Sequence, residues 1–289
     1  GLEGDVTTRN AGNGTFEATD VVQMRRFVTG LDTPVATHNE YQRADVAPSN
    51  LRGDGTLNAS DLVQVRRFVA GLDASQPAGG AGAPNPAPIA PPSGERPEIE
   101  SEVLIGEVMA TNNSRVRIPV DLRSNGSEVA LSFTVHYDER KLSDPTVDLA
   151  AGLPDGVTLT TNAKEPGVIR ILIDAATVVA YDTKVGQKLV DLGFKVLSAA
   201  PSGEASLDIE DLNVSDAAAN STPSGSKGGV IRIDGANPVE TEAKFGGRLR
   251  VLDVDLVEEW LEDSIVILRP RFDGEVKLPV VQPGRRIDR

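Results

Sequence analysis

Two short polar stretches carry the most informative oxygen chemistry in this chain. Asn13, Thr15, Glu17 and Asp20 follow one another around Gly14, and Asp54, Thr56, Asn58 and Asp61 repeat that order around Gly55. A hard cation such as calcium takes roughly six to eight oxygens from a loop that alternates ligands around a glycine turn. Here an acid seven residues after the first amide or carboxylate closes the shell. Thr15 and Thr56 offer backbone carbonyls, while Glu17 and Asn58 ligate directly or through water. Asp20 and Asp61 also stand where a helix cap or a first-turn acid is favoured. Spacing alone therefore leaves both roles open for these two acids.

The elements that must position those loops are visible as a repeat. Ala18–Asp32 recurs as Ala59–Asp73, with a constant shift of 41 residues. Val21, Met24, Val28 and Leu31 fall at helical spacing, as do Leu62, Val65, Val69 and Leu72. Each unit thus has one apolar stripe, with its paired arginines turned away from it. Gly30 and Gly71 sit where a left-handed cap ends a helix. Two short helices packed on each other are expected, within a small all-α domain over residues 1–75.

From Gln76 to Glu98 the composition turns to Pro, Ala, Gly and Ser. Such a segment, assigned to 76–99, reads as a semi-stiff spacer between independently folded parts, which should behave as beads on a string. The period then changes to two over residues 100–234. Val116, Ile118, Val120 and Leu122 alternate with polar neighbours, as do Leu131, Phe133, Val135 and Tyr137, and Ile169, Ile171 and Ile173. Turn signals at Asn125-Gly126 and Pro154-Asp155-Gly156 separate the runs. About nine short strands in an all-β jelly-roll sandwich are expected. Residues 235–289 contain a possible short helix at Val257–Leu261 and an apolar run at Ile265–Leu268, without a usable motif.

The whole chain narrows the function classes. Its 289 residues carry a formal net charge of −14, which argues against phosphate-backbone recognition and hence against a nucleic-acid partner. Cysteine is absent, which excludes disulfides and thiolate chemistry. No apolar run is long enough for a membrane span, and the start at Gly1 suggests a piece of something longer, with any signal peptide outside it. The two histidines, His38 and His136, accompany no nucleophile motif, so hydrolysis through a triad is not expected. One Trp and three Tyr are few for stacking against sugar rings.

The residues of the repeat resemble the duplicated dockerin module, in which a calcium loop runs into a helix bearing Asp-Val/Leu-Val-Gln and Arg-Arg-Phe-Val before a glycine. The resemblance covers roughly Gly4 to Asp73 and implies about two calcium ions. This sequence departs from the module at the loop starts. Simple counting puts Arg9 and Asn50 first and Ala11 and Arg52 third, so the loops are read as carrying insertions, with Asp5 and Asp45 returning to the first ligand position. The dockerin likeness implies partner contact through Ala18, Thr19, Arg25 and Arg26 and through Ala59, Ser60, Arg66 and Arg67.

The strand runs Val103–Gly106, Arg115–Leu122, Leu131–Asp138, Asp191–Val196 and Gly229–Ile233 are similar, in order and character, to a cohesin domain. Ser132, Thr134 and His136 alternate with core positions and share an outer face, which in cohesins contributes to dockerin binding. Together the resemblances imply a non-catalytic adaptor, extracellular or at a cell surface, whose partners bear cohesins or dockerins. A polysaccharide-binding sandwich is the rival expectation.

Overall fold

The computed structural model describes residues 1–79, 100–176, 179 and 186–234, and the backbone of 241–245 and 247–251. The greater part of the proline-rich segment, 80–99, lies outside the described residues. So do Tyr181, Val257–Leu261, Trp260 and Ile265–Leu268. Residues 1–237 form one unit and 238–289 another, and within the second Thr241–Phe245 and Gly247–Val251 pair as an antiparallel hairpin.

Helix α1 spans Ala18–Val28, α2 spans Glu40–Ala44 and α3 spans Ala59–Val69, with a 3-10 turn at Ala36–His38. Amphipathic spacing makes α1 and α3 pack together, burying Met24, Phe27, Leu62, Val65 and Phe68. Phe16, just ahead of α1, stacks on Phe68 of α3 with ring centroids 5.2 Å apart. Gly30 and Gly71 close the helices at φ of +66° and +67°, where an L side chain is strained. Past them, Arg26 pairs with Asp32 and Arg67 with Asp73, and Gln23 and Gln64 add a hydrogen bond to the same aspartates. The 41-residue repeat is thus a repeat of bonds as well as letters.

The strands are β1 (Ser101–Ile105), β2 (Glu107–Thr111), β3 (Arg115–Arg123), β4 (Glu128–Tyr137), β5 (Leu142–Leu149) and β6 (Thr158–Asn162). They continue as β7 (Val168–Asp174), β8 (Gln187–Val196), β9 (Gly203–Asp216), β10 (Ser224–Lys227) and β11 (Gly229–Asp234). One sheet is ordered β10-β1-β3-β8-β5 and the other β2-β11-β9-β4-β7-β6. Alternating residues such as Ile118, Val120, Leu131, Phe133, Ile171 and Phe194 fill the space between them. Among the described residues eleven strands build the sandwich rather than about nine. The extra ones are short pieces such as β2 and β10, which carry too few residues to show a period.

The expectation of two separate beads is not met. Helix α3 packs against β4 and β9, and Val129, Ala130 and Leu172 join an apolar cluster with residues of the helix pair, including Val63 and Phe68. The reason lies on the outer face of β7. Leu172 alternates with the inward Ile171 and Ile173, yet is fully buried, because the helices cover it. Gln76–Gly79, expected to belong to the spacer, are held against the N-terminus, with Glu3 N donating to Gln76 O at 2.9 Å and Ala78 N to Gly1 O at 3.0 Å.

Candidate metal loops and the helix-sandwich interface

Each loop folds back so that an acid far upstream reaches the glycine turn. Asp5 accepts from the amides of Asn13 (3.0 Å) and Gly14 (2.8 Å), and Asp45 accepts from those of Asp54 (3.0 Å) and Gly55 (2.8 Å). Gly12 and Gly53 make this possible. A Cβ on Gly12 would lie 2.1 Å from Asp5 Oδ2, and one on Gly53 would lie 2.4 Å from Asp45 Cγ. Gly14 and Gly55, where the sequence places the sharp turns, do have positive φ, but the steric demand falls two residues earlier.

Asp20 and Asp61 occupy the third position of their helices and act in two directions. Oδ2 of Asp20 accepts from Glu17 N at 2.9 Å, and Oδ1 accepts from Val6 N and Thr7 N at 3.0 and 2.8 Å. Asp61 repeats this with Asn58 N at 2.8 Å and with Val46 N and Ala47 N at 2.8 and 2.9 Å. The same carboxylates thus cap their helices and tie them to the upstream segments at Val6–Thr7 and Val46–Ala47. Asn13 Oδ1 and Asp54 Oδ1 each accept from the threonine two residues on, Thr15 or Thr56, while Asn58 Oδ1 accepts from Ser60 N at 2.8 Å. Glu17 is exposed and takes a bond from the Thr15 hydroxyl at 3.1 Å. Arg9 stands outside the first loop, paired with the buried Glu40 at 2.8 Å and lying over the Phe27 ring.

The second loop gathers its acids in a buried setting. Asp45 and Asp61 are fully buried and accept from backbone amides. Burial pushes the Asp45 carboxyl up to about 7 and that of Asp61 well above the usual range, despite their backbone donors. Asp45 also feels Asp54, Asp61 feels Asp45, and the half-buried Tyr41 hydroxyl feels all three. The first loop differs, because the buried Arg43 lies close to Asp5 and Asp20 and donates to the carbonyls of Asp5 and Arg9. Among the described residues no three Asp, Glu or His side chains converge at ligating distance, since the carboxylates turn toward amides. The donor set of acid, amide and carbonyl oxygens fits a hard cation, and carbonyls would have to supply part of the shell.

The expected partner residues fall largely on a contact inside the chain. Arg25 makes a paired contact with Asp174, Nε to Oδ1 at 3.1 Å and Nη2 to Oδ2 at 2.8 Å. Arg66, its repeat mate, reaches the same Oδ2 at 3.5 Å and donates to Ala175 O at 2.6 Å. Ala59 N donates to Ser132 Oγ at 3.2 Å, and Ser60 Oγ lies 3.2 Å from Asn213 Oδ1 and 3.0 Å from Ser221 Oγ. Arg67 donates to Ala217 O at 2.7 Å, and Asn162 Nδ2 to Thr29 O at 3.0 Å.

Register explains this convergence. Ser132 faces Leu172 on β7 and Asn213 on β9, and Ala130 faces Asp174, so these residues share one outer face. Ser132 and Thr134 are buried rather than solvated, and His136 is half-exposed, 3.2 Å from Glu210. Arg26 stays on its own unit with Asp32, and Ala18 and Thr19 remain exposed. Asp174 was missed in the sequence because an acid ending an alternating strand looks like a solvated face. Leu172, apolar on that same face, was the available signal.

Comparison with known proteins finds likenesses for the sandwich. No curated protein matches the chain. Solved structures similar to it include a type I cohesin from Pseudobacteroides cellulosolvens (20% identity, 50% of this chain and 97% of that one, TM-score 0.42). Others are a cohesin from Clostridium acetobutylicum (23%, 48% and 94%, 0.40) and a non-cellulosomal cohesin from Archaeoglobus fulgidus (17%, 48% and 94%, 0.40). The model of the cohesin domain matches residues 101–231, the span from β1 into β11, so this part of the chain is a cohesin-like β-sandwich.

Proposed function

We propose that the chain is a non-catalytic assembly protein in which a calcium-holding, dockerin-like helix pair and a cohesin-like sandwich recognise modules of each other's kind. Cohesin domains are scaffold modules that hold dockerins, which supports a role in protein-protein contact over one in catalysis. The observation that carries the reading is the meeting of Arg25 and Arg66, equivalent residues of the two repeats, on the single buried carboxylate of Asp174. A buried charge met by two guanidiniums is a specific recognition contact, because either side alone would be left desolvated and unpaired. Calcium suits the folded-back loops and their buried, mutually repelling acids, and an extracellular or cell-surface setting suits both calcium and a cohesin-like module.

The test is capture of proteins from the source organism's secreted fraction by the full chain, with calcium or with chelator, beside retention on insoluble polysaccharide. Calcium-dependent recovery of cohesin- or dockerin-bearing proteins supports the reading. Retention on glycan with no protein captured would replace it with carbohydrate binding.

A further inference from the structure

The outer face of β4, β7 and β9 is covered in this chain. Strand β4 is buried on both sides over most of its length, although the facing sheet accounts for only one of them. The cover is the chain's own repeat: α3 lies on β4 and β9, its first residues bond Ser132 and Asn213, and both repeat arginines close on Asp174. Leu172 and Ala130, fully buried, show that the contact excludes water as well as pairing charges. We propose that the helical repeat is the sandwich's resident ligand, so that the protein is a self-closed monomer whose docking face admits a second partner only after the repeat leaves. This rests on the reading of that face as a recognition surface and names its occupant.

Chain connectivity makes closure the favoured state. Two modules joined by a short segment meet at an effective concentration on the order of millimolar. A free competitor of equal affinity at about 1 μM therefore faces a disadvantage of roughly a thousandfold. Closure is also lopsided. The start of α3 is bonded to the sandwich, while the matching Ala18 and Thr19 of α1 are exposed and Val22 is 52% exposed. The closed form thus uses the second repeat for its hydroxyl contacts and both repeats for Asp174.

The experiment places a protease site within residues 80–99 of the full chain, cleaves it, and follows the fragments by sedimentation equilibrium at up to about 1 mM, the effective concentration that the linker supplies in the intact chain. The closed form predicts that the nicked wild-type chain runs as one species of the original mass, 30.5 kDa plus the inserted site. Asp174→Arg should separate it into two. The double variant Arg25→Glu/Arg66→Glu, altered on the helix side, should do the same, so a folding defect in the sandwich is not the sole explanation. Separation of the nicked wild-type fragments would overturn closure. If the intact chain then dimerised and Asp174→Arg abolished the dimer, the face would still be a recognition surface, filled by a second copy. If the fragments separated and no dimer formed, the reading of the face would fall as well.

Discussion

Asp174→Asn removes one charge from the contact that joins helices to sandwich and leaves the shape of β7 nearly unchanged. Asp174 is 1% exposed and takes three guanidinium contacts, at 2.8, 3.1 and 3.5 Å. Breaking a fully buried pair costs about 3–5 kcal/mol. The two arginine side chains are 23% and 25% exposed, so water recovers part of their solvation. Discounted for that screening, the loss is about 2–3 kcal/mol, or roughly 30- to 150-fold in the docking equilibrium. Hydrogen-deuterium exchange reads this directly. The amides of α1, α3 and the outer rows of β4 and β7 should lose protection, while the inner core around Ile171 and Phe194 keeps it. A double-mutant cycle should give a larger coupling to Arg25 than to Arg66, following their distances. Unchanged exchange in the helices together with a destabilised sandwich would refute the reasoning, because Asp174 would then be serving its own sheet.

Further outcomes follow from buried groups elsewhere. Glu128, fully buried, accepts from the Ser101 and Ser124 hydroxyls and from the amides of Asn125, Gly126 and Ser127. Burial acts to raise its pKa, but these donors outweigh it and hold the carboxyl below its usual range. Its stabilisation is therefore present above the unfolded value near 4.5 and is lost as pH falls through the lower folded value. Acid melting curves should show that loss in wild type and not in Glu128→Gln, which should also be about 1–3 kcal/mol less stable at neutral pH. Gly53→Ala should unfold the second loop at a cost of about 2–4 kcal/mol, since its φ is +101° and the new Cβ meets Asp45, and thermal melting should show it. Phe68→Ala should lower the stability of the helix pair by about 3–5 kcal/mol, read as exchange in α1 and α3, by removing a buried ring stacked on Phe16.

The sequence made the helix pair legible because its 41-residue repeat carries caps, glycines and apolar spacing together. The core strands were legible for a similar reason, since Ile118, Leu131 and Ile171 belong to clear period-two runs. Docking was not legible. Nothing local in Ser132, Asp174 or Asn213 announces a partner, and the contacts join residues more than a hundred positions apart, as Arg25 and Asp174 are. The paired arginines looked like solvated faces for the same reason. Glu128 is hidden too, although the Asn125-Gly126 turn signal lies among the residues that supply its donors. Loop closure by Asp5 and Asp45 came from the dockerin resemblance, which required a first ligand that simple counting did not provide.

We propose above all that the folded-back loops of the helix pair hold calcium. Isothermal titration of the chelator-treated full chain with calcium tests it most directly, with Asp20→Ala and Asp61→Ala as single-loop variants. The account predicts about two ions for wild type, about one for each variant, and a rise in melting temperature on loading. No binding heat and an unchanged melting temperature in wild type would contradict it, leaving the loops as turns closed by their own amides.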